Sequence, residues 1–412
     1  MAAPSPYAYV AVGRPVRGEF TYAIPPELQG KLLPGQRIRV PFGRGVSLGF
    51  FLAEAPEPAP EVVKKLRPIE RVLDAEAAFP PDLVELVRFA AHHYRYPLGE
   101  ALRAALPPGM TKADDGKEAR ADVVVFAKAL KGATTEVLGR AYAQQATLSY
   151  LLAVGGRAPV EEIAHAIPGA KENLKKLVTR GFVALEEERV VKGVREGLQQ
   201  GRPEALMPEQ IVAVDTLTKA LEAGGFAPFL LHGVTGSGKT EVYLRLVERA
   251  LELGKGALVL VPEIALTPQL VGRFRSRFGQ NVALLHSALK DRERLRHWQD
   301  LRAGTVRVAV GVRSAIWAPV PNLGIVVVDE EHDPSFKQEE KLRYQARDLA
   351  VVRAKQAGAM VVLGSATPSL ETFENARKGR YGLVTMTRRV DDRPMPTLQL
   401  VDLRLERPKT PE

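Results

Sequence analysis

The chain has 412 residues, 45% hydrophobic and 26% charged, enough to bury several cores and to call for two or three domains. It contains no cysteine, which excludes disulfides and cysteine-ligated zinc, and no apolar run approaches membrane-spanning length. A formal net charge of +10 favours a polyanionic partner.

The N-terminal Met1-Ala2-Ala3-Pro4-Ser5-Pro6 lacks the charged-then-apolar pattern of a signal peptide, so a cytoplasmic location is expected. Residues 1–110 open with alternating, aromatic-containing runs at Tyr7 to Val12, Phe20 to Ile24, Gln36 to Val40 and Val46 to Ala53, divided by turn signals such as Pro25-Pro26 and Pro34-Gly35. They read as short strands of a small β-barrel or sandwich. A helix is expected from Pro81 to about Tyr94, with His92 and His93 a surface pair on it.

A linker of mixed charge, Lys112 to Arg120, leads into residues 121–198. Helical spacing marks Thr134 to Gln144, Thr147 to Ala153, Val160 to Ala166 and Lys171 to Arg180, and Gly181 to Leu185 followed by Arg189-Val190-Val191 reads as a hairpin. Helices followed by a two-stranded wing suggest a winged helix, with Lys171, Lys175, Lys176 and Arg180 on or near its recognition helix. Contact with duplex and a solvated face of a protein-interaction module both fit, because Glu186 to Glu188 would make that wing acidic.

Residues 203–400 alternate strand and helix patterns, the mark of a parallel α/β sheet. Phe229-Leu230-Leu231 precedes Gly233-Val234-Thr235-Gly236-Ser237-Gly238-Lys239-Thr240, and a helix is expected from Glu241 to Leu253. Gly233, Gly236, Ser237 and Gly238 would turn backbone N–H groups onto phosphates, Lys239 would reach the β and γ oxygens, and Thr240 would offer its hydroxyl to Mg²⁺. Ile325 to Val328 is an unbroken β-branched strand delivering Asp329 and Glu330 at its C-terminal end. Asp329 would hold Mg²⁺ and Glu330 would polarise the attacking water. The expectation is an ATP-and-Mg²⁺-dependent motor on nucleic acid. Glu263, Thr267, Gln269, Arg313 and Ser314 follow successive strands at the same sheet edge, where they would meet the phosphates of a single strand.

Three less common stretches narrow the class: Leu260 to Gln269 (LVPEIALTPQ), Gly311-Val312-Arg313-Ser314-Ala315, and Asp329-Glu330-Glu331-His332-Asp333 running on to Arg343-Tyr344-Gln345-Ala346-Arg347-Asp348. With the phosphate loop and Gly364-Ser365-Ala366-Thr367-Pro368, they resemble the PriA family of bacterial primosomal replication-restart DNA helicases, in superfamily 2. The resemblance implies a RecA-like helicase lobe behind a β-rich domain that binds the 3′ end of a nascent strand and a winged helix. It places Gln210 near adenine. It makes Phe20, Thr21, Tyr22 and Arg39 part of the 3′-end signature, with Thr21 where some members carry an aspartate. It also makes Asp333 to Tyr344 an aromatic-rich loop in which Phe336 and Tyr344 stack on bases and Lys337 and Arg343 meet phosphates. Gly364 to Thr367 would link the γ-phosphate state to DNA.

By the same resemblance the partners are forked DNA with single-stranded regions, single-stranded-DNA-binding protein and other primosome proteins, acting on a monomer with no membrane. Fewer than 50 residues follow Pro368, and residues 401–412 read as the start of a linker to a second lobe. The family's arginine fingers and zinc-binding cysteines would lie beyond it. A scaffold that binds forks without a motor role, and a motor acting on RNA or on restricted DNA, are the competing expectations.

Overall fold

The computed structural model describes residues 5–112, 123–130, 132–139, 141–189, 205–390 and 402. The expected linker from residue 113 to 120, Val190-Val191 of the expected wing, and 401–412 apart from Asp402 lie outside them.

The N-terminal unit is a five-stranded antiparallel sheet made of β1 (Tyr7–Val12), β2 (Phe20–Ala23), β3 (Arg37–Phe42), β4 (Gly45–Glu54) and β5 (Arg71–Val72), in the order β2-β1-β4-β3-β5. Its ends approach each other: Ala23 of β2 bridges Pro68, and the amides of Ala23 and Ile69 are bonded to Arg67 O and Ala23 O across the gap. A sheet that curls until its edges meet is a barrel, which decides between the two expected forms. Alternate residues Ala8, Val10, Val12, Ile38, Val40, Phe51 and Ile69 fill its interior. One turn of helix, α1 (Pro60–Val63), precedes β5, and α2 (Pro81–His93) and α3 (Leu98–Ala105) close the unit.

The middle unit joins β6 (Val123–Ala129), α4 (Tyr142–Ala153), β7 (Arg157–Pro159), α5 (Val160–Ala166), α6 (Ala170–Thr179) and β8 (Val183–Arg189). Leu148, Leu151, Ile163, Leu174 and Leu177 form its core. Two expectations change here. The pattern at Thr134 to Gln144 is a 3-10 turn at Glu136–Leu138 ended by Gly139 at φ 57°, a conformation that stops a helix, and the α-helix begins only at Tyr142. The expected hairpin is instead one strand, β8, whose partner is the distant β6, with Val183 opposite Ala129 and Arg189 opposite Val123. The sheet order is β7-β6-β8. Sequence-local pattern cannot show a partner that lies more than fifty residues upstream.

The third unit is a seven-stranded parallel sheet in the order β11-β12-β10-β13-β14-β9-β15. Its elements are α7 (Pro208–Ala223), β9 (Ala227–Gly233), α8 (Lys239–Glu252), β10 (Gly256–Leu260), α9 (Pro268–Phe278), β11 (Val282–Leu285), α10 (Asp291–Arg302), β12 (Val308–Gly311), β13 (Leu323–Asp329), α11 (Ala346–Ala357), β14 (Met360–Ser365), α12 (Leu370–Arg377) and β15 (Gly382–Met386). β10, β13 and β14 are apolar almost throughout because both of their faces are covered by helices.

The barrel unit and this lobe share one apolar core. Phe79 packs edge-on against Trp298 with centroids 5.8 Å apart, and Phe50, Leu86 and Leu102 lie in one buried cluster with Trp317, Leu349 and Leu363. Arg302 reaches Ala77 O at 3.4 Å, and Gln345 N donates to Tyr94 Oη at 3.1 Å. Among the described residues no helix is long and apolar enough to cross a membrane.

Candidate functional site

The phosphate loop connects β9 to α8, and its backbone explains its glycines. Gly236 and Gly238 both sit at φ 83°, in the left-handed region, and a Cβ on Gly238 would lie 2.1 Å from Gln210 Nε2. A Cβ on Gly233 would stand 2.7 Å from Ser237 Oγ, which is itself buried without a hydrogen-bond partner. Such an orphaned hydroxyl in a glycine-lined cradle at a helix N-terminus suits a phosphate group.

Asp329 and Glu330 arrive at the C-terminal end of β13, next to β14 and near the loop. Lys239 is 7% exposed, and its Nζ donates to Gly233 O at 2.8 Å while standing 3.5 Å from Glu330 Oε1. Asp329 Oδ1 accepts from Tyr243 Oη at 3.0 Å and from Glu330 N at 3.1 Å. Burial, and then the neighbouring Glu330, push the Asp329 carboxyl up to about 6, and burial drives the Tyr243 hydroxyl well above its usual range. Glu330 adopts φ 45°, a left-handed conformation that costs a non-glycine residue about 1–2 kcal/mol and is concentrated at working sites. Thr240 is half-buried at the first turn of α8. The orphaned Ser237 hydroxyl, the buried Lys239 ammonium and the paired carboxylates are a donor set that fits a magnesium nucleotide.

Gln210 lies against the loop from below. Its Oε1 accepts from Met207 N at 2.9 Å, capping α7, and its Nε2 donates to Ser237 O at 3.3 Å. Both ends of the amide thus brace the helix start and the loop. The chain after β15 crosses the same loop: Val390 N donates to Gly236 O at 3.0 Å, and Thr387 and Arg388 hold Glu209 through their amides.

Sequence reasoning missed Tyr243, which a side chain one helical turn beyond Lys239 would suggest. It also missed how the 364–367 turn is held. His332 Nδ1 lies 2.7 Å from Ser365 Oγ, and a Cβ on Gly364 would meet Tyr243 Oη at 1.7 Å.

The expected nucleic-acid residues do not form one site. In the barrel, Phe20 packs edge-on against Phe42 at 5.4 Å, and Tyr22 is 5% exposed with its hydroxyl donating to Pro41 O. Both serve the barrel, as alternating aromatic residues in strands do. Thr21 is half-buried opposite Tyr9, and Arg39 pairs with Glu70 at 2.7 Å. Burial pushes the Tyr22 hydroxyl above its usual range, an effect that Arg67, unremarked in the sequence, partly offsets, and Arg67 donates to Gly43 O at 2.8 Å. In the middle unit Lys175 is exposed beside Glu172.

The lobe corrects the loop from Asp333 to Tyr344. Phe336 is fully buried, and Tyr344 is buried against Trp317 with centroids 5.1 Å apart, its hydroxyl pushed up to about 12 by burial. Neither ring offers a face to a base here, because both anchor the loop on the lobe. Arg313 spans the same loop, donating to Ser335 O at 3.1 Å and Lys337 O at 3.0 Å. Lys337 and Arg343 remain exposed at its surface.

Residues 208–376 match the family described as DEAD/DEAH box helicase, and residues 9–107 match the 3′DNA-binding domain of PriA. Two segments of the chain thus resemble, in order, the 3′DNA-binding domain of PriA and a DEAD/DEAH box helicase lobe. Among individual proteins, the chain is 35% identical to replication restart protein PriA of Chlamydia pneumoniae over 98% of this chain and 54% of the relative. It is 43% identical to that of Bacillus subtilis over 64% of this chain and 33% of the relative. The resemblance to PriA thus holds along nearly the whole chain, and the chain spans about half the length of the first of these relatives. A structure of RecG bound to a three-way DNA junction covers 45% of this chain and 24% of its own at 26% identity, with a TM-score of 0.36.

Proposed function

We propose that this chain recognises abandoned replication forks and works in their ATP-driven, 3′-to-5′ remodelling, exposing single strand so that the replicative helicase is reloaded. The observation that carries this reading is the shared core: a barrel related to a 3′DNA-binding domain is packed through Phe79 and Trp298 onto a lobe holding a phosphate loop. A DNA end held by the barrel would be held at a fixed place relative to the motor.

In this reading Lys239 and the loop amides bind the nucleotide's phosphates, Thr240 and Asp329 hold Mg²⁺, and Glu330 orients the attacking water. Bound Mg²⁺ would supply charge neutralisation on the phosphates. Asp329 would hold the metal as a carboxylate, so a cation would draw its raised pKa back down. Gln210 fixes the loop for adenine-nucleotide binding rather than touching solvent. Arg313, Lys337 and Arg343 would meet single-strand phosphates, and Thr21, Arg39 and Arg67 the 3′ terminus. Lys175 would contribute a duplex contact. In this reading single-stranded-DNA-binding protein and other primosome proteins would be the partners and the cytoplasm the location.

The test is ATP turnover by the chain on a fork with a free 3′ end at the junction, beside the same fork blocked at that end and beside Lys239→Ala. Turnover that needs both Lys239 and the free end supports the reading. Tight fork binding without turnover leaves a fork-binding scaffold, and indifference to the 3′ block removes the role given to the barrel.

A further inference from the structure

Glu331 is the one carboxylate of the Asp329-Glu330-Glu331 run with no part in the proposed chemistry, and it is completely buried. A buried carboxylate needs several donors, and each of those found here belongs to another segment. Ser369 N donates to its Oε1 at 2.6 Å, and Ser369 Oγ and Thr372 Oγ1 donate to its Oε2, each at 3.0 Å. Arg347 Nη1 donates to the same Oε2 at 3.3 Å and to Ser369 Oγ at 2.9 Å. The backbone amide of Glu331 donates to Gly364 O at 3.1 Å.

Three segments therefore meet at one side chain. Glu331 follows the strand that carries Asp329 and Glu330. Ser369 and Thr372 begin α12, directly after the Gly364 to Thr367 turn. Arg347 lies in the first turn of α11, two residues beyond Gln345, whose bridge to Lys337 closes the base of the exposed loop. A displacement of that loop cannot move the start of α11 without pulling Arg347 from two acceptors, and neither acceptor has another cation within hydrogen-bond distance among the described residues.

We propose that Glu331 and Arg347 are a positioning pair that joins the 333–345 loop to the 364–372 segment, so that nucleic acid on the loop is felt at the nucleotide site. The pair touches neither nucleotide nor nucleic acid; it acts through Ser369 and Gly364. A guanidinium suits the position because its Nε donates to Asp348 Oδ1 at 2.9 Å while Nη1 reaches Glu331 and Ser369, a spread of donors that a single lysine ammonium cannot match. The proposal rests on the reading of the loop as a nucleic-acid contact and of the 364–367 turn as part of the nucleotide site.

Hydrogen exchange of the whole chain, with and without a single-stranded oligonucleotide, tests it without requiring turnover. In the unaltered protein the oligonucleotide is expected to slow exchange in both 333–345 and 364–372 by about fivefold or more. Arg347→Ala keeps the first response and loses the second, Arg347→Lys retains part of it, and Ser369→Ala, which leaves the ion pair in place, also weakens it. Thermal unfolding of each variant separates loss of coupling from loss of fold. Persistence of the 364–372 response in folded Arg347→Ala and Ser369→Ala overturns the proposal, as does its absence from the unaltered protein while 333–345 responds. No response at 333–345 with oligonucleotide bound overturns the underlying reading of the loop instead.

Discussion

Lys239 and Glu330 stand 3.5 Å apart, and so do Lys175 and Glu172. In the lobe the lysine side chain is 8% exposed and its partner lies 91 residues along the chain, brought near by a parallel sheet. In the middle unit both side chains are more than 70% exposed and three residues apart on one helix. The second pair is worth about 0.2–0.5 kcal/mol and is screened by salt. The first is held by the fold rather than by its own attraction, and its ammonium has a second acceptor in Gly233 O. Distance alone does not separate a working charge pair from a solvated one; burial and the number of segments that meet there do.

If fold-imposed burial makes the difference, cutting into the packing around the lobe's site should have the largest effect. Phe336→Ala removes a fully buried ring beneath the loop and is expected to destabilise the chain by about 3–5 kcal/mol in thermal or denaturant unfolding. Tyr142→Ala, at a ring 73% exposed in the middle unit, should stay within about 0.5 kcal/mol. Equal losses would break the comparison.

A smaller effect comes from buried titratable groups. Burial, and then Arg296 and Arg275, lower His297 from 6.5 to about 4. Its folded pKa lies below its unfolded one, so stability is complete above pH 6.5 and declines as pH falls from 6.5 toward 4. The decline amounts to about 3 kcal/mol. His297→Asn should flatten that part of the stability-against-pH curve measured by urea unfolding. An unchanged acid limb would place the titrating group elsewhere.

Smallest of all is the expected effect of Lys175→Ala, which should leave stability within about 0.5 kcal/mol. If Lys175 meets duplex phosphate, the slope of log affinity against log salt falls in magnitude by about 0.9 in a duplex-binding titration. An unchanged slope assigns the residue to the solvated face that its pairing with Glu172 suggests.

What could be seen in the sequence follows the same division. The strand-loop-helix around Lys239 and the strand ending at Asp329 were visible because phosphate binding and buried parallel strands dictate residue type over a few consecutive positions. Strand β1 and helix α5 were visible because their periodicity is local. Strands β11 and β15, four and five residues long, carry too little pattern to separate them from neighbouring helices. The partner of β8 was invisible because it lies upstream across three helices. Glu331 was passed over because its neighbours Asp329 and Glu330 already met the chemistry the motif asks for, and nothing local announces that a carboxylate caps a helix more than thirty residues away. Phe336 and Tyr344 show the converse: an aromatic residue in a loop reads the same in sequence whether it faces a base or the core.

The most direct measurement is a calorimetric titration of Mg²⁺ and a slowly hydrolysed ATP analogue into the unaltered chain, Lys239→Ala and Lys175→Ala. The account predicts that Lys239→Ala loses about 10- to 100-fold in affinity, the worth of a charge-assisted hydrogen bond, while Lys175→Ala binds as the unaltered chain does. Equal affinity in all three proteins, or none in the unaltered one, would contradict it.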